Sequence, residues 1–141
     1  GLDVGLSEQG FAAEVNSLTN GEGVHVVIDF IGAPYLEQNL QALAMWGRLV
    51  FLATMGGVQA HVNIGMLMGK RISMRGVTMR TRTLEEKLIV TRRFATSVLP
   101  LIASGKVKPV IESVFPLEEI GEAHRVMGDN KNFGKLVVRV D

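Results

Sequence analysis

The chain has no cysteine, one tryptophan, one tyrosine and four prolines in 141 residues. Without thiols there can be no disulfide framework, thiolate nucleophile or cysteine-ligated zinc within these residues, and the composition fits a reducing cytoplasm. An excess of charge is also missing. Fifteen basic and 14 acidic side chains leave a formal net charge of +1, so no global field favours nucleic acid or an anionic membrane. No apolar run reaches the roughly 18 residues of a spanning helix. The opening GLDVGLSEQG lacks a basic region followed by an apolar one. A soluble, cytoplasmic protein without nucleic-acid or membrane partners is the expectation.

What is present is enough apolar content, 47%, for one core, in a length too short for two ordinary domains. The chain should be one unit or part of a larger one. Ser7 can cap a helix through EQGFAAEVNSLTN, where Phe11, Val15 and Leu18 recur at helical spacing and Gly21 supplies a stop. VHVVIDFI, from Val24 to Ile31, is β-branched and does not alternate, which suits a central parallel strand covered on both faces. The next helix begins near Pro34 and runs through Leu36, Leu40 and Leu43 to Gly47. RLVFLAT reads as a strand, GGVQAH as a loop, IGMLMGK as a short helix and RISMRGVTM as a third strand. A long helix across LEEKLIVTRRFATSVLPLIASG should be kinked or divided at Pro100 and end at Gly105. VKPVIESVF, LEEIGEAHRVMGD and GKLVVRV then give strand, helix and strand. The alternation predicts an α/β fold with a parallel sheet and right-handed crossovers.

Few residues announce chemistry. In NGEGVHV the glycines precede a strand, the reverse of a phosphate loop, and a turn explains them better. Met55-Gly56-Gly57 is better placed, at the carboxyl end of a strand, where open α/β sheets bind ligands. His25, His61 and His124 stand far apart, none with a partner at metal-ligand spacing, and read as ordinary polar side chains. Glu85-Glu86 and Glu118-Glu119 fall in first helical turns, where they complement the helix dipole. From Lys70 to Arg93 eight cations face two carboxylates; a solvated face explains this better than a phosphate site. Met66, Met68, Met74 and Met79 read as gap-filling core or contact residues. Asp29 is the one carboxylate in the apolar run. With no proton partner in view, it is expected to accept hydrogen bonds from amides of the following turn or helix rather than to act as an acid or base.

Taken in order, GEGVHVVIDFIG, YLEQNLQALAMWGRLVFLATMGG, KRISMRGVTMRTR, SGKVKPVIESVFPLEEIGEAHRVM and NKNFGKLVVRV resemble the C-terminal half of quinone oxidoreductases of the medium-chain dehydrogenase/reductase superfamily. The run from GKVKPVI through EAH to NxxGK is the most specific part. The resemblance implies a partial Rossmann-type, three-layer parallel sheet lacking its first two strands. Residues 1–105 would belong to the NADP-binding domain, and 106–141 to a strand-helix-strand return segment of the catalytic domain. DVGLSE would be the family's third strand, and VHVVIDFI, RLVFLAT and RISMRGV its fourth, fifth and sixth. The glycine-rich pyrophosphate loop and the readers of the 2′-phosphate would then be missing. In the order 3-2-1-4-5-6, one edge of VHVVIDFI is left unpaired. An apolar free edge is an aggregation template. The expectation is therefore a fragment of a longer enzyme, or an edge covered by a partner chain.

By the same resemblance, nicotinamide-side contacts fall at Ile31, Gly32, Leu52, Ala53, Thr54, Val77, Thr78 and Asn132, mostly through backbone groups. Leu6 stands where relatives often stack a Tyr or His near the adenine. The implied activity is hydride transfer from NADPH to a quinone or another activated carbonyl compound, without zinc and with no general acid or base in this segment. A zinc-containing alcohol dehydrogenase and a non-catalytic dimerisation or binding module are the alternatives. The resemblance also implies a homodimer through the strand from Arg71 to Met79.

Overall fold

A computed structural model describes residues 10–129 and 132–140. The expected third strand, the Ser7 cap and Leu6 lie outside the described residues. The chain divides into two compact units, Gly1–Arg82 and Thr83–Asp141.

In the first unit, helix α1 (Phe11–Leu18) leads into strand β1 (Val24–Asp29), a 3-10 turn (Ala33–Tyr35) and helix α2 (Leu36–Ala42). Strand β2 (Leu43–Phe51), helix α3 (Ile64–Lys70) and strand β3 (Ser73–Gly76) complete it. The three strands are parallel, in the order β1-β2-β3. That is the arrangement expected for a family's fourth, fifth and sixth strands. Leu36, Leu40, Leu43 and Leu49 form the buried cluster, and Val24, Val27, Phe51, Met66, Leu67 and Ile72 pack against it. Helix α2 thus buries its apolar stripe against the sheet, and α3 packs the partly buried Met66 and Leu67 on the same cluster.

Three expectations need correction. VHVVIDFI has the unpaired edge expected of it, since among the described residues β1 pairs only with β2, but it is not covered on both faces. Val26 and Ile28 are correspondingly 42% and 61% exposed. The helix expected to reach Gly47 stops at Ala42, and Leu43 is already extended, with φ −72° and ψ 137°. The strand expected from Arg48 therefore begins at Leu43. Val24 pairs with Leu43 and Val26 with Arg48, so residues 44–47 bulge against His25, with Trp46 at φ +62°. An apolar ALAMWG read at helical period is, in fact, a bulged strand. The third strand is also shorter than RISMRGVTM, because Arg71 takes the left-handed conformation that ends α3.

The second unit holds helices α4 (Leu84–Ser97) and α5 (Leu99–Ala103), strand β4 (Ile111–Pro116), a 3-10 turn (Leu117–Glu119), helix α6 (Ile120–Gly128) and strand β5 (Lys135–Arg139). Thr83 and Glu86 form a reciprocal capping box that starts α4. The long helix is divided at Val98, with Pro100 in the first turn of α5, where its missing N–H costs nothing. Strand β4 starts at Ile111, four residues later than expected, and pairs parallel with β5.

Candidate functional site at the carboxyl ends of the strands

The site grows out of Asp29. Its carboxylate is 4% exposed, and a charge buried to that degree must have its lone pairs taken up. Oδ1 accepts the amides of Ile31 at 2.6 Å and Gly32 at 3.0 Å, while Oδ2 accepts Nδ2 of Asn39 in α2 at 2.8 Å. All three donors converge on the one carboxylate. Asp29 is therefore the amide acceptor expected of it, and its donors are the turn after β1.

That turn is tied to the loop after β2. Gly32, at φ +89°, forms a parallel bridge with Gly57. The Ala33 amide donates to the Gly57 carbonyl at 3.1 Å, Gly56 to Ile31 at 2.8 Å and Met55 to Phe30 at 3.1 Å. A Cβ on Gly32 would lie 2.7 Å from the Gly57 carbonyl oxygen and 3.0 Å from Thr54 Cα, so only glycine permits the approach. The parallel ladder continues past the strands: Leu52 donates to the Asp29 carbonyl at 2.7 Å, and Val77 donates to Phe51 at 2.9 Å. The ends of all three strands are thereby brought level.

On this crest the Ala53 and Thr54 amides have no acceptor among the described residues, and both residues are exposed. Beside it lies a cavity of about 350 Å³ lined by Gly32, Ala33, Leu36, Phe51, Thr54 and Val58, with the residues that follow in the same loop. Its walls are mainly apolar, and Thr54 brings the side-chain hydroxyl. Two free N–H donors and a hydroxyl beside an apolar hollow can orient a flat ring carrying a carboxamide or carbonyl.

Of the expected site residues, Ile31, Gly32, Leu52, Ala53, Thr54, Val77 and Thr78 all fall on the loops leaving β1, β2 and β3. The Thr78 hydroxyl accepts the Arg80 amide at 3.3 Å. Asn132 belongs to the second unit, where its Nδ2 donates to the Gly134 carbonyl at 3.2 Å. Sequence reasoning passed over Asn39, a buried polar residue inside an apolar helix stripe, which was the available signal. It also passed over Lys70. Rather than lying on a solvated face, Lys70 Nζ donates to the carbonyls of Leu40, Gln41 and Leu43 at 3.0, 2.8 and 2.7 Å and so caps α2. Burial pushes its pKa below the ordinary lysine value.

The other cations near Lys70 are used or dispersed. The Arg71 guanidinium lies 5.1 Å from the Trp46 ring centroid, a cation–π contact. Lys87, Arg92 and Arg93 belong to the second unit. There Arg125 pairs with Glu122 at 2.5 Å and with Asp129 at 3.6 Å. The hydrogen bond from Arg125 holds the Glu122 carboxyl below the usual carboxylate range. Among the described residues no three His, Cys, Asp or Glu side chains gather in a metal-binding group, and no helix is long and apolar enough to cross a membrane.

Comparison with known proteins agrees with this architecture. A zinc-binding dehydrogenase family model matches residues 6–138. Quinone oxidoreductase-like protein 2 of Bos taurus is 31% identical over 96% of this chain and 38% of its own length. Acryloyl-coenzyme A reductase of Metallosphaera sedula is 30% identical over 83% of this chain and 32% of its own. The chain thus spans about a third of the length of these relatives. Among solved structures, an NAD-dependent alcohol dehydrogenase superposes with a TM-score of 0.70 at 32% identity, over 92% of this chain and 35% of that one. A mycobacterial quinone oxidoreductase superposes with a TM-score of 0.70 at 27% identity, over 99% of this chain and 42% of that one. These matches, over a parallel sheet of the Rossmann type, establish that the chain belongs to the zinc-binding dehydrogenases of the medium-chain dehydrogenase/reductase superfamily.

Proposed function

We propose that this chain supplies the nicotinamide-side crest of an NADPH-dependent quinone oxidoreductase, which reduces a quinone or another activated carbonyl compound. The observation that carries the reading is the levelled crest, where the open Ala53 and Thr54 amides and the Thr54 hydroxyl stand at the carboxyl ends of parallel strands. These groups suit a nicotinamide: the two amides are donors for a carboxamide oxygen, and the apolar wall of Phe51 and Val58 suits the flat ring. When bound, the cofactor supplies the hydride. The chain's own part is to orient the ring through Gly32, Thr54 and Val77 and to keep water from its apolar side. No side chain on the crest is assigned as a general acid or base.

In this reading residues 1–105 belong to the NADP-binding domain and 106–141 to the catalytic domain, and Asn132 is a further cofactor contact that the family resemblance implies. A homodimer through the region Arg71 to Met79 is part of the proposal. Its support is that β3 ends the sheet opposite β1 and that Ser73–Gly76 are all exposed.

The protein as its gene encodes it should oxidise NADPH faster than NADH with at least some members of a panel of quinones and enals. No turnover with any acceptor would overturn the reading. A zinc-containing alcohol dehydrogenase is the second reading, favoured by the 32% identity to a solved NAD-dependent alcohol dehydrogenase. Stoichiometric zinc, with alcohol oxidation in place of quinone reduction, would decide for it.

A further inference from the structure

The Asp29 carboxylate that holds the crest needs something to hold it in turn. A carboxylate whose Oδ1 serves two successive amides must keep one rotamer, and at 4% exposure its Oδ2 cannot rely on bulk water. Asn39 supplies the second anchor. It is 2% exposed, and it sits in α2 between Leu36 and Leu40, where an apolar residue would complete the stripe and asparagine is a poor helix former. Its Nδ2 donates to Asp29 Oδ2 at 2.8 Å. From there the connection runs through the Ile31 and Gly32 amides to the Gly32–Gly57 bridge, and through Gly56 and Met55 to the loop that carries Ala53 and Thr54. Among the described residues no buried side-chain polar atom is left without a partner, so removing one donor opens a closed network.

We infer that Asn39 is the positioning residue of the crest: from α2 it locks Asp29, and through Asp29 it fixes the loops that present the cofactor-binding amides. Which ligand feels this rests on the function proposed above, whereas the fixing of the loops does not. The other titratable side chain beside Asp29 in the shallow hollow over β1 is Tyr35, whose ring is tilted against Phe11 with centroids 5.2 Å apart.

Two variants, made in the protein as its gene encodes it, test the assignment. Asn39→Leu keeps the size and removes the donor. Asn39→Asp places two carboxylates face to face, so the donor returns only when one of them takes a proton. The first readout is hydrogen exchange at the Ile31 and Gly32 amides; the second is NADPH affinity. Asn39→Leu should speed that exchange and weaken NADPH binding by about tenfold each, as expected for losing one bond to a buried charge. Asn39→Asp should show the same losses at neutral pH and recover both as the pH is lowered, a profile that a residue merely filling the core would not give. Unchanged exchange at Ile31 and Gly32, an Asn39→Asp variant insensitive to pH, or loss of the whole fold in both variants at every pH would each overturn the assignment. If the unaltered protein binds no NADPH, the proposed function falls, while the exchange measurement still decides the role of Asn39.

Discussion

Replacing Lys70 by methionine tests whether one side chain closes the helix that backs the crest. Its ammonium converges on the carbonyls of Leu40, Gln41 and Leu43 at 3.0, 2.8 and 2.7 Å, at the point where α2 turns directly into β2. A hydrogen bond to a charged group contributes about 1.5–3 kcal/mol net. Here three bonds share one charge, the bond to Gln41 is exposed, and desolvation of the ammonium opposes them. One full charged bond and about 0.5 kcal/mol for a cation at a helix C-terminus together give about 2 kcal/mol. Methionine keeps the apolar stem, so packing changes little. Hydrogen exchange in α2 and the first residues of β2 should accelerate by about thirtyfold in Lys70→Met, the factor that corresponds to 2 kcal/mol. Lys70→Arg should recover only part of this, because a planar fork cannot converge on three carbonyls as a point charge does. Acceleration below twofold in Lys70→Met would refute the cap and return Lys70 to a solvated face.

Gly32→Ala should cost about 2–3 kcal/mol in thermal unfolding, since the position holds φ +89° and the new Cβ would meet backbone atoms at 2.7 and 3.0 Å. Gly76→Ala meets nothing within 4 Å and should stay within about 0.5 kcal/mol of the parent. Asn63, whose side chain accepts the Met66 amide at 3.0 Å, caps α3; its replacement by alanine should cost about 1 kcal/mol, read as faster exchange in that helix. Glu122 titrates below the usual carboxylate range because Arg125 stabilises its charged form. A depressed folded-state pKa contributes stability that is complete above the unfolded value and lost as pH falls through the folded one. Glu122→Gln should therefore lower the melting temperature slightly at pH 7, by a difference that shrinks as the pH falls through the folded-state value, and added salt should shrink the pH 7 difference.

The strand order and the crest were legible in the sequence for different reasons. Apolar runs separated by turn and helix signals gave β1, β3 and α3 their places, and Pro100 divided the long helix where its chemistry requires. The boundary between α2 and β2 was not legible. ALAMWG satisfies the apolar spacing of a helix, and the bulge that places Trp46 at φ +62° is set by pairing with β1, which no local pattern encodes. Seven of the eight expected site residues were placed on the crest through resemblance rather than through their side chains, because the crest presents backbone N–H groups that any residue owns. Gly32 is the exception whose identity the close approach demands. Asn39 and Lys70 were hidden because their partners, Asp29 and the carbonyls that end α2, lie across the fold or carry no sequence signature.

The mismatch at β1 follows from the same distinction between pattern and environment. Val24, Val26, Val27 and Ile28 are apolar without alternation, a pattern suited to burial on both faces. Yet Val24 and Val27 pack on the core while Val26 and Ile28 remain open. A strand made for half-wet surroundings would put polar residues at the open positions, as antiparallel edges do, or carry the lysines and prolines that blunt an edge. β1 has only His25 as an exposed polar residue and no lysine or proline, and its single carboxylate, Asp29, is turned inward to hold the crest. Among the described residues the strand that carries the candidate site is paired on one edge only, by β2, so the Asp29 network, anchored in α2, does the work of fixing the crest.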